Sequence, residues 1–272
     1  MTNTLLVTGA AGIVGTALRP VLQKEYSHIL LADLQPIESL APNESYHLCD
    51  ITHPEPLRSL AERADGVLHL AGVVGAAYTF EEVLEPNIAG TYNVYRAAYE
   101  SGISNVVYAS SHHVVGFRKR GGHIDDQSSH RPDSHYGLSK AFGESAGAYF
   151  ADNFGLNVLA IRIGFVGSEV ATERRQHTWI SARDLAQLVR IGLETPELGY
   201  EVVYGISNTP EGVFDNSNAS RLGYRPKDNS QDHLASDALR TEKPDLESIE
   251  GGCVGGGFAA VDFHGNAERI LR

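Results

Sequence analysis

The sequence is poor in cysteine and in long apolar runs, and each shortage excludes a class of protein. Only two cysteines, Cys49 and Cys253, occur among 272 residues, and neither lies in a motif with metal-binding or redox spacing. We therefore expect two reduced thiols and no metal. No apolar stretch reaches the roughly 20 residues that a membrane span requires, and the N-terminal residues lack the pattern of a secretory signal. These features predict a cytoplasmic protein without a membrane partner.

Positive charge is also scarce. Lysine and arginine total 22 against 34 aspartates and glutamates, so the formal net charge is −12. An acidic surface repels phosphate backbones and anionic lipid head groups, and we therefore predict no nucleic-acid partner. A local basic pocket can still attract a small anionic substrate, because nearby charges outweigh the field of the whole surface.

Short apolar runs alternate with helical patterns over the first 164 residues. Strands are indicated by six runs: Leu5–Val7, Ile29–Leu31, Tyr46–Leu48, Val67–Leu70, Val106–Tyr108 and Val158–Ile161. Helical patterns lie between most of them, for example over Leu57–Arg63 and Ile88–Ser101. This alternation predicts an α/β fold with a doubly wound parallel sheet of the Rossmann type, whose ligands bind at the carboxyl ends of the strands. Pro20, inside the first helical pattern, predicts a kink or an early end of that helix.

The pattern becomes less regular after Gly164. We predict a helix over Ser181–Leu193 and a strand over Tyr200–Tyr204, whereas residues 165–178 look polar and irregular. The chain is accordingly divided into a core over residues 1–164 and a small lobe over residues 165–272, packed on the core. The lobe ends in a Gly-rich tail that contains Gly251, Gly252 and Gly255–Gly257. The sequence leaves the role of this tail open.

A glycine-rich turn follows the first predicted strand and opens the first helix. Gly9, Gly12 and Gly15 have the spacing that permits a tight turn, close approach of a pyrophosphate and close packing of helix on strand. Asp33, 18 residues after Gly15, is placed to accept hydrogen bonds from the adenine ribose and to repel a 2′-phosphate, which favours NAD over NADP. Asp50 is placed to meet the adenine ring. The other cofactor contacts that we predict are Ala11, Ile13, Val14, Ile51, Leu70, Ala71, Gly72 and Ile163.

A second group of residues carries the predicted chemistry. Tyr136 and Lys140 lie at i and i+4, on one face of a helix. The lysine ammonium and the positive nicotinamide ring are expected to lower the pKa of the phenol, so that Tyr136 can remove a proton while hydride leaves for NAD. Ser111 is expected to donate to the same substrate oxygen, and Tyr136 and Lys140 to contact the cofactor as well. Taken alone, the Tyr/Lys pair is a frequent accident of amphipathic helices.

These motifs, in this order, resemble those of an extended short-chain dehydrogenase/reductase along essentially the whole chain. Within that superfamily the chain is most similar to bacterial uronate dehydrogenases. The similar stretches are Leu5–Gly15, Ala109–Gly116, Arg131–Glu144, Arg162–Gly164, Thr178–Trp179 and Val203–Asp228, of which Ser110–His113 and Asp215–Asn216 are the more specific.

The resemblance implies oxidation of a pyranose, a uronic acid, at its anomeric carbon to a lactone. It places Ser111 and His113 on the sugar and Arg174 on the substrate carboxylate, and a guanidinium suits that contact because its fork meets a carboxylate with two hydrogen bonds. The remaining predicted sugar contacts are His112, Tyr136 and Phe165. The fold also implies a homo-oligomer.

The sequence departs from the uronate dehydrogenase pattern at three sugar contacts. Gly75 and Phe165 stand in place of serines and His112 in place of an asparagine, which leaves open which sugar is bound. Three alternatives therefore remain: a dehydrogenase of neutral or phosphorylated aldoses, a nucleotide-sugar epimerase or dehydratase, and a non-catalytic NAD-sensing regulator.

For four of the predicted site residues, a purely structural role remains an alternative to the functional one. Arg174 could be a solvated loop residue, His113 a structural histidine, and Asp33 and Asp50 ordinary turn residues. The run Arg118–Arg120 could form a basic rim that attracts a sugar phosphate or, as we favour, a solvated charged turn.

Overall fold

A computed structural model describes residues 3–209, 212–240 and 243–272. Within these residues, nine strands are present: β1 (Thr4–Thr8), β2 (His28–Asp33), β3 (Glu44–Leu48), β4 (Gly66–His69), β5 (Asn105–Ser111), β6 (Asn157–Ile163), β7 (Phe165–Val166), β8 (Trp179–Ile180) and β9 (Tyr200–Gly205). Seven of them form one parallel sheet in the order β3-β2-β1-β4-β5-β6-β9, and β7 and β8 form a short parallel pair. The predicted doubly wound parallel sheet is confirmed.

Helices connect the strands over the same described residues. They are α1 (Ile13–Glu25), α2 (Pro54–Ala61), α3 (Phe80–Val83), α4 (Gly90–Glu100), α5 (His135–Phe154), α6 (Glu173–Thr178), α7 (Ala182–Glu194), α8 (Ser217–Arg221), α9 (Ile249–Gly252), α10 (Gly257–Val261) and α11 (Ala267–Leu271). A π-helical segment, Leu84–Ala89, leads into α4, and 3-10 turns cover His112–Val115, Ser230–His233 and Asp237–Arg240. None of the described helices is long and apolar enough to cross a membrane.

The sheet has an apolar core on each face. Along β1 the fully buried Leu5 and Val7 join one core, packed under α1 and α7, and Leu6 joins the other, packed under α2 and α4. Successive side chains of a strand point to opposite faces, so a strand covered on both sides must be apolar throughout. This is why the inner strands of the sheet appear as apolar runs in the sequence, whereas the edge strand β3 carries Glu44, Ser45 and His47.

Strand order reverses between β1 and β4, and chain connections leave on opposite sides of that point. The carboxyl ends of β1, β2, β4, β5 and β6 therefore border one crevice, the place where open α/β sheets bind ligands. The same edge carries the predicted site residues Asp33, Ser111 and Ile163.

The early end of the first helix, one of the two outcomes predicted from Pro20, was wrong, whereas the kink stays a prediction. Helix α1 continues through Pro20 to Glu25, because Leu18 and Leu22 are fully buried on its inner face while Pro20 is exposed, where water can satisfy the carbonyl that loses its N–H partner. The stretch 165–178, predicted as irregular, forms β7 and α6.

The division of the chain at residue 164 stays a prediction. Strand β9 and helix α7 lie beyond that point, and they complete the edge of the sheet and one of its helical layers. Cys49 and Cys253 are both free and buried.

Candidate active site

A cavity of about 650 Å³ opens at the carboxyl edge of the sheet. It is lined by nearly all of the residues predicted from the sequence: Gly9, Ala11, Gly12, Ile13, Val14, Asp33, Asp50, Ile51, Leu70, Ala71, Gly72, Ser111, His112, His113, Tyr136, Lys140, Ile163, Phe165 and Arg174. Two residues do not line it. Gly15 packs on the backbone of Ala10 behind the loop, and Gly75 lies against the ring of Tyr78.

One end of the cavity is the glycine-rich turn. Gly9 has φ +72°, and a Cβ there would lie 2.4 Å from the backbone nitrogen of Ala71, so only glycine fits. Gly12 caps helix α1 without any side-chain hydrogen bond, and the first turn of α1 contains no acidic residue. The amide groups of that turn are therefore available to an anion, and the helix dipole favours negative charge there.

The carboxylate of Asp33 stands beside this turn. It accepts hydrogen bonds from the backbone nitrogens of Ala11 and Gln35, each 2.9 Å long, and these bonds fix its position at the end of β2. Asp50 is held in the same way by the backbone and hydroxyl of Thr52. A glycine cradle, an uncapped helix terminus and an anchored carboxylate in one cavity fit the pyrophosphate and ribose of a dinucleotide.

Tyr136 and Lys140 lie in the first turns of α5, which Ser134 caps by accepting a hydrogen bond from Gly137 N. Both side chains are buried, and the Lys140 ammonium lies 5.8 Å from the centre of the Tyr136 ring and 5.0 Å from that of Tyr108. The helix thus brings the predicted pair together on the wall of the cavity.

The expected lowering of the Tyr136 pKa is not found. Burial raises the pKa of its phenol to about 12, although a hydrogen bond from Ser111 acts in the opposite direction. Burial also lowers the pKa of Lys140 to about 8. Both groups lie away from water, which penalises each charged form. The lowering predicted from Lys140 together with the nicotinamide ring of NAD stays a prediction.

A buried amide supports Tyr136 from behind. Asn87, in the π-helical segment, donates a hydrogen bond of 2.9 Å to the hydroxyl of Ser139, and Ser139 donates one of 2.8 Å to the carbonyl oxygen of Tyr136. Asn87 also pairs with both backbone groups of Val73 on the cavity wall. Sequence reasoning missed Asn87, because the π-helical turn that aims it leaves no periodic signal.

A buried ion pair holds β5, α5 and β6 together below the site. Glu144 accepts two hydrogen bonds of 2.9 Å from Arg162, one of 2.6 Å from Ser110 and one of 2.8 Å from His130. Burial acts to raise the pKa of Glu144, but these partners outweigh it and lower the pKa to about 2. The network anchors the chain next to Ser111, at the end of β5.

Arg174 faces the other end of the cavity from helix α6. Its Nη1 donates a hydrogen bond of 3.0 Å to Nε2 of His112 and one of 3.2 Å to the carbonyl oxygen of Val254. Burial lowers the pKa of this guanidinium. Among the described residues it has no carboxylate within ion-pairing distance, although the negative charges of Asp133 and Glu173 act on it from farther away. The interpretation of Arg174 as a solvated loop residue is wrong, because α6 and the tail enclose it.

The two histidines at the end of β5 are buried. Nδ1 of His112 donates a hydrogen bond of 3.1 Å to the carbonyl oxygen of Ile163, and Nδ1 of His113 lies 2.7 Å from Oδ2 of Asp133. Burial, followed by the nearby positive charges, holds the pKa of both imidazoles well below the usual range. Both rings are therefore neutral near pH 7.

The Gly-rich tail closes this end of the site, which the sequence did not predict. Phe258 stacks on the His113 ring at 4.0 Å. Gly256 has φ +62°, and a Cβ there would lie 2.4 Å from Arg174 Cδ. Nothing in the local sequence signals these contacts, since they join segments more than 80 residues apart.

Both interpretations of the run Arg118–Arg120 are wrong for Arg120. This residue belongs neither to a solvated turn nor to a free basic rim. Arg120 is nearly buried and makes two hydrogen bonds, of 2.9 and 2.6 Å, to Glu173 at the start of α6. Arg118 donates to the backbone and hydroxyl of Ser129.

Comparison with known proteins places this geometry in a family. The family model described as "NAD dependent epimerase/dehydratase family" matches residues 5–190, more than half of the chain. A uronate dehydrogenase of Pseudomonas syringae pv. tomato is 42% identical over 233 residues, which cover 84% of this chain and 83% of that protein.

Two further proteins are similar over most of their length. The crystal structure of a glucuronic acid dehydrogenase from Chromohalobacter salexigens superposes with a TM-score of 0.89 at 35% identity, covering 96% of this chain and 98% of that one. An NAD-dependent glucose-6-phosphate dehydrogenase of Haloferax volcanii is 33% identical, covering 85% of this chain and 95% of that protein.

Proposed function

The chain belongs to the NAD dependent epimerase/dehydratase family, and from its site we propose that it oxidises a hexuronic acid at the anomeric carbon to a lactone, with NAD as the oxidant. The observation that carries the substrate class is the guanidinium of Arg174, which lines the cavity without a directly paired carboxylate among the described residues. Its hydrogen-bond acceptors, His112 and the carbonyl of Val254, are neutral, and the carboxylate of a uronic acid would pair with it through two hydrogen bonds.

The proton chemistry is assigned to Tyr136. In this proposal the deprotonated phenol oxygen of Tyr136 takes the proton of the anomeric hydroxyl, and Ser111 donates a hydrogen bond to the same substrate oxygen. Because burial raises the pKa of Tyr136 to about 12, the phenolate needs positive charge nearby. Lys140, whose pKa of about 8 keeps it protonated at neutral pH, provides part of that charge.

NAD, when bound, supplies the acceptor for the hydride that leaves the anomeric carbon. The glycine turn and the uncapped start of α1 would hold its pyrophosphate, and Asp33 its adenine ribose. Leu34, the neighbour of Asp33, offers no cation for a 2′-phosphate, which supports NAD over NADP.

A second candidate, oxidation of an aldose phosphate, is favoured by one observation. Arg175 also lines the cavity, stacked at 3.8 Å on the face of Phe165, and no carboxylate among the described residues pairs with it. Two guanidiniums on one wall suit a dianionic phosphate. The similarity to the Haloferax volcanii glucose-6-phosphate dehydrogenase supports the same alternative.

A substrate panel separates the two candidates. Glucuronate, galacturonate, glucose, galactose and glucose 6-phosphate are each offered with NAD, and kcat/KM is measured from NADH absorbance. We expect the uronates to exceed the neutral aldoses by at least about a hundredfold, the scale of a desolvated charge pair. A higher kcat/KM for glucose 6-phosphate would transfer the assignment to the second candidate. The homo-oligomer, the cytoplasmic location and the substrate-binding role of residues 165–272 stay predictions.

A further inference from the structure

Asp133 lies behind the substrate end of the cavity, one residue before the cap of α5. Its Oδ2 is 2.7 Å from Nδ1 of His113, and its Oδ1 accepts a hydrogen bond of 2.9 Å from the hydroxyl of Ser134. The carboxylate side chain has no exposed surface, whereas His113 lines the cavity. Asp133 is thus a buried acid that meets the site only through the imidazole.

Two glycines make the space for this carboxylate. A Cβ at Gly116 or at Gly255 would lie 1.9 Å from Asp133 Oδ2. Gly116 follows β5 and Gly255 belongs to the tail, and their backbones are joined by a hydrogen bond of 2.9 Å. Two separate segments therefore keep the position clear for a charged group that burial alone would disfavour.

The His113 ring is held on both faces. Phe258 stacks on one face at 4.0 Å and an interplanar angle of 19°, and the His112 ring lies 4.1 Å away. With Nδ1 occupied by Asp133, Nε2 is the remaining polar atom of the ring, and it forms no hydrogen bond with any described residue. The His113 side chain is 7% exposed and lines the cavity.

We propose that Asp133 is a positioning residue: it holds the proton of His113 on Nδ1, so that Nε2 is presented as a hydrogen-bond acceptor to a hydroxyl of the sugar. The substrate half of this inference rests on the proposed function, but the proton position does not. A carboxylate accepts only, which makes the facing Nδ1 the donor and leaves Nε2 with its lone pair.

The electrostatics of the pair agree with this assignment. Burial raises the pKa of Asp133 to about 6, while burial and Arg174 keep the pKa of His113 well below its usual range. The titratable or charged groups that face the pair are His112, Tyr136, Arg174 and Cys253. At pH 7.5 the carboxylate is therefore ionised and the ring neutral, which is the state that fixes the proton on Nδ1.

The test is ¹⁵N NMR of the full-length protein, loaded with NAD and free, at pH 7.5. His113 is assigned among the 12 histidines by through-bond correlation of its ring with its own backbone in the parent protein. We expect a protonated Nδ1 and an unprotonated Nε2 in the parent protein. A proton on Nε2 would overturn the inference whatever the enzyme oxidises, and this measurement on the parent does not depend on the folding of any variant.

Asp133→Asn adds a kinetic readout. The Ser134 hydroxyl donates to Oδ1, so we expect the amide oxygen to stay there and the amide nitrogen to face His113, which moves the ring proton to Nε2. The KM for the uronate should rise roughly 5- to 100-fold, the range for one lost hydrogen bond at a buried acceptor, with a smaller change in kcat. NAD affinity should be unchanged.

Asp152→Asn, on the exposed end of α5, removes the same charge far from the site and should leave KM and the His113 signals at parental values. A parental KM and parental His113 signals in a folded Asp133→Asn would contradict the positioning role. If the panel instead shows that uronates are not substrates, the NMR result still decides the proton position, so the two proposals fail separately.

Discussion

The guanidinium of Arg174 donates a hydrogen bond of 3.0 Å to Nε2 of His112, although the two residues are 62 positions apart in the sequence. His112 in turn donates from Nδ1 to the carbonyl oxygen of Ile163, so both of its nitrogens are engaged and its ring stays neutral. His112 therefore orients Arg174 without cancelling its charge. The guanidinium remains available to an anionic substrate.

Arg174→Ala should cost most of the activity on uronates. The change leaves the substrate carboxylate unmatched in a buried site, at about 2–5 kcal/mol in transition-state binding. Activity on the matching neutral aldose should change little, because that sugar has no carboxylate. The measurement is kcat/KM for both substrates, with Arg96→Ala as the control, because that exposed guanidinium on α4 does not line the cavity. An equal loss on both substrates would make Arg174 a structural residue.

Gly256→Ala should weaken uronate binding without touching the substrate. Its Cβ would overlap Arg174 Cδ at 2.4 Å, and its φ of +62° disfavours any side chain, so either the guanidinium or the tail must move. We expect a KM raised by roughly tenfold, or about 1.4 kcal/mol. Gly257→Ala is the matched control, since its Cβ would meet only Glu250 at 3.6 Å. A parental KM in Gly256→Ala would refute this dependence on the tail.

Tyr136→Phe should abolish turnover and leave NAD affinity nearly unchanged. The substitution removes one oxygen and keeps the edge contacts of the ring with His113 and Phe258, so the loss is one of proton transfer rather than of packing. Turnover is followed by NADH absorbance and NAD binding by calorimetry. Activity within a few-fold of the parent would remove Tyr136 from the role of base.

Asp33→Ala should weaken NAD binding by roughly 1–3 kcal/mol, the scale of hydrogen bonds to a charged group. Discrimination against NADP should relax at the same time, because the carboxylate no longer repels the 2′-phosphate. Dissociation constants for both cofactors check the two effects. Equal use of NAD and NADP by the parent enzyme would show that Asp33 is not the ribose contact.

Glu144→Gln should destabilise the protein at neutral pH by about 3–5 kcal/mol, because it leaves the buried Arg162 without its counter-ion. The folded-state pKa of Glu144, about 2, lies below its ordinary value of 4.5. Its stabilising contribution is therefore present above pH 4.5 and lost as the pH falls toward 2. Urea unfolding at several pH values should show the difference between parent and variant shrinking over that window.

The control for that experiment is Glu55→Gln, which removes a solvent-exposed ion pair with Arg58 on α2. We expect an effect below about 0.5 kcal/mol at every pH. A difference between parent and Glu144→Gln that stays constant from pH 7 to pH 3 would show that the carboxylate charge is not what stabilises the network.

Much of the nucleotide end could be predicted from the sequence. Gly9, Gly12 and Asp33 lie within 25 residues of one another, and their spacing is set by a single strand–turn–helix–strand unit whose geometry is local. Tyr136 and Lys140 share a face for the same reason, since i and i+4 on a helix are neighbours by construction. The parallel sheet followed from apolar runs that a strand covered on both faces must have.

The substrate end was decided by tertiary structure. Arg174, Asp133, Gly255 and Phe258 come from segments that no local periodicity connects, and they meet only because the tail folds back over the end of β5. The same applies to the pKa of Tyr136, which depends on how much water the surrounding fold excludes. Local spacing determines what a turn or one helix face can present, whereas burial and long-range contact depend on the whole chain, and in this protein they hold the groups proposed to select the sugar.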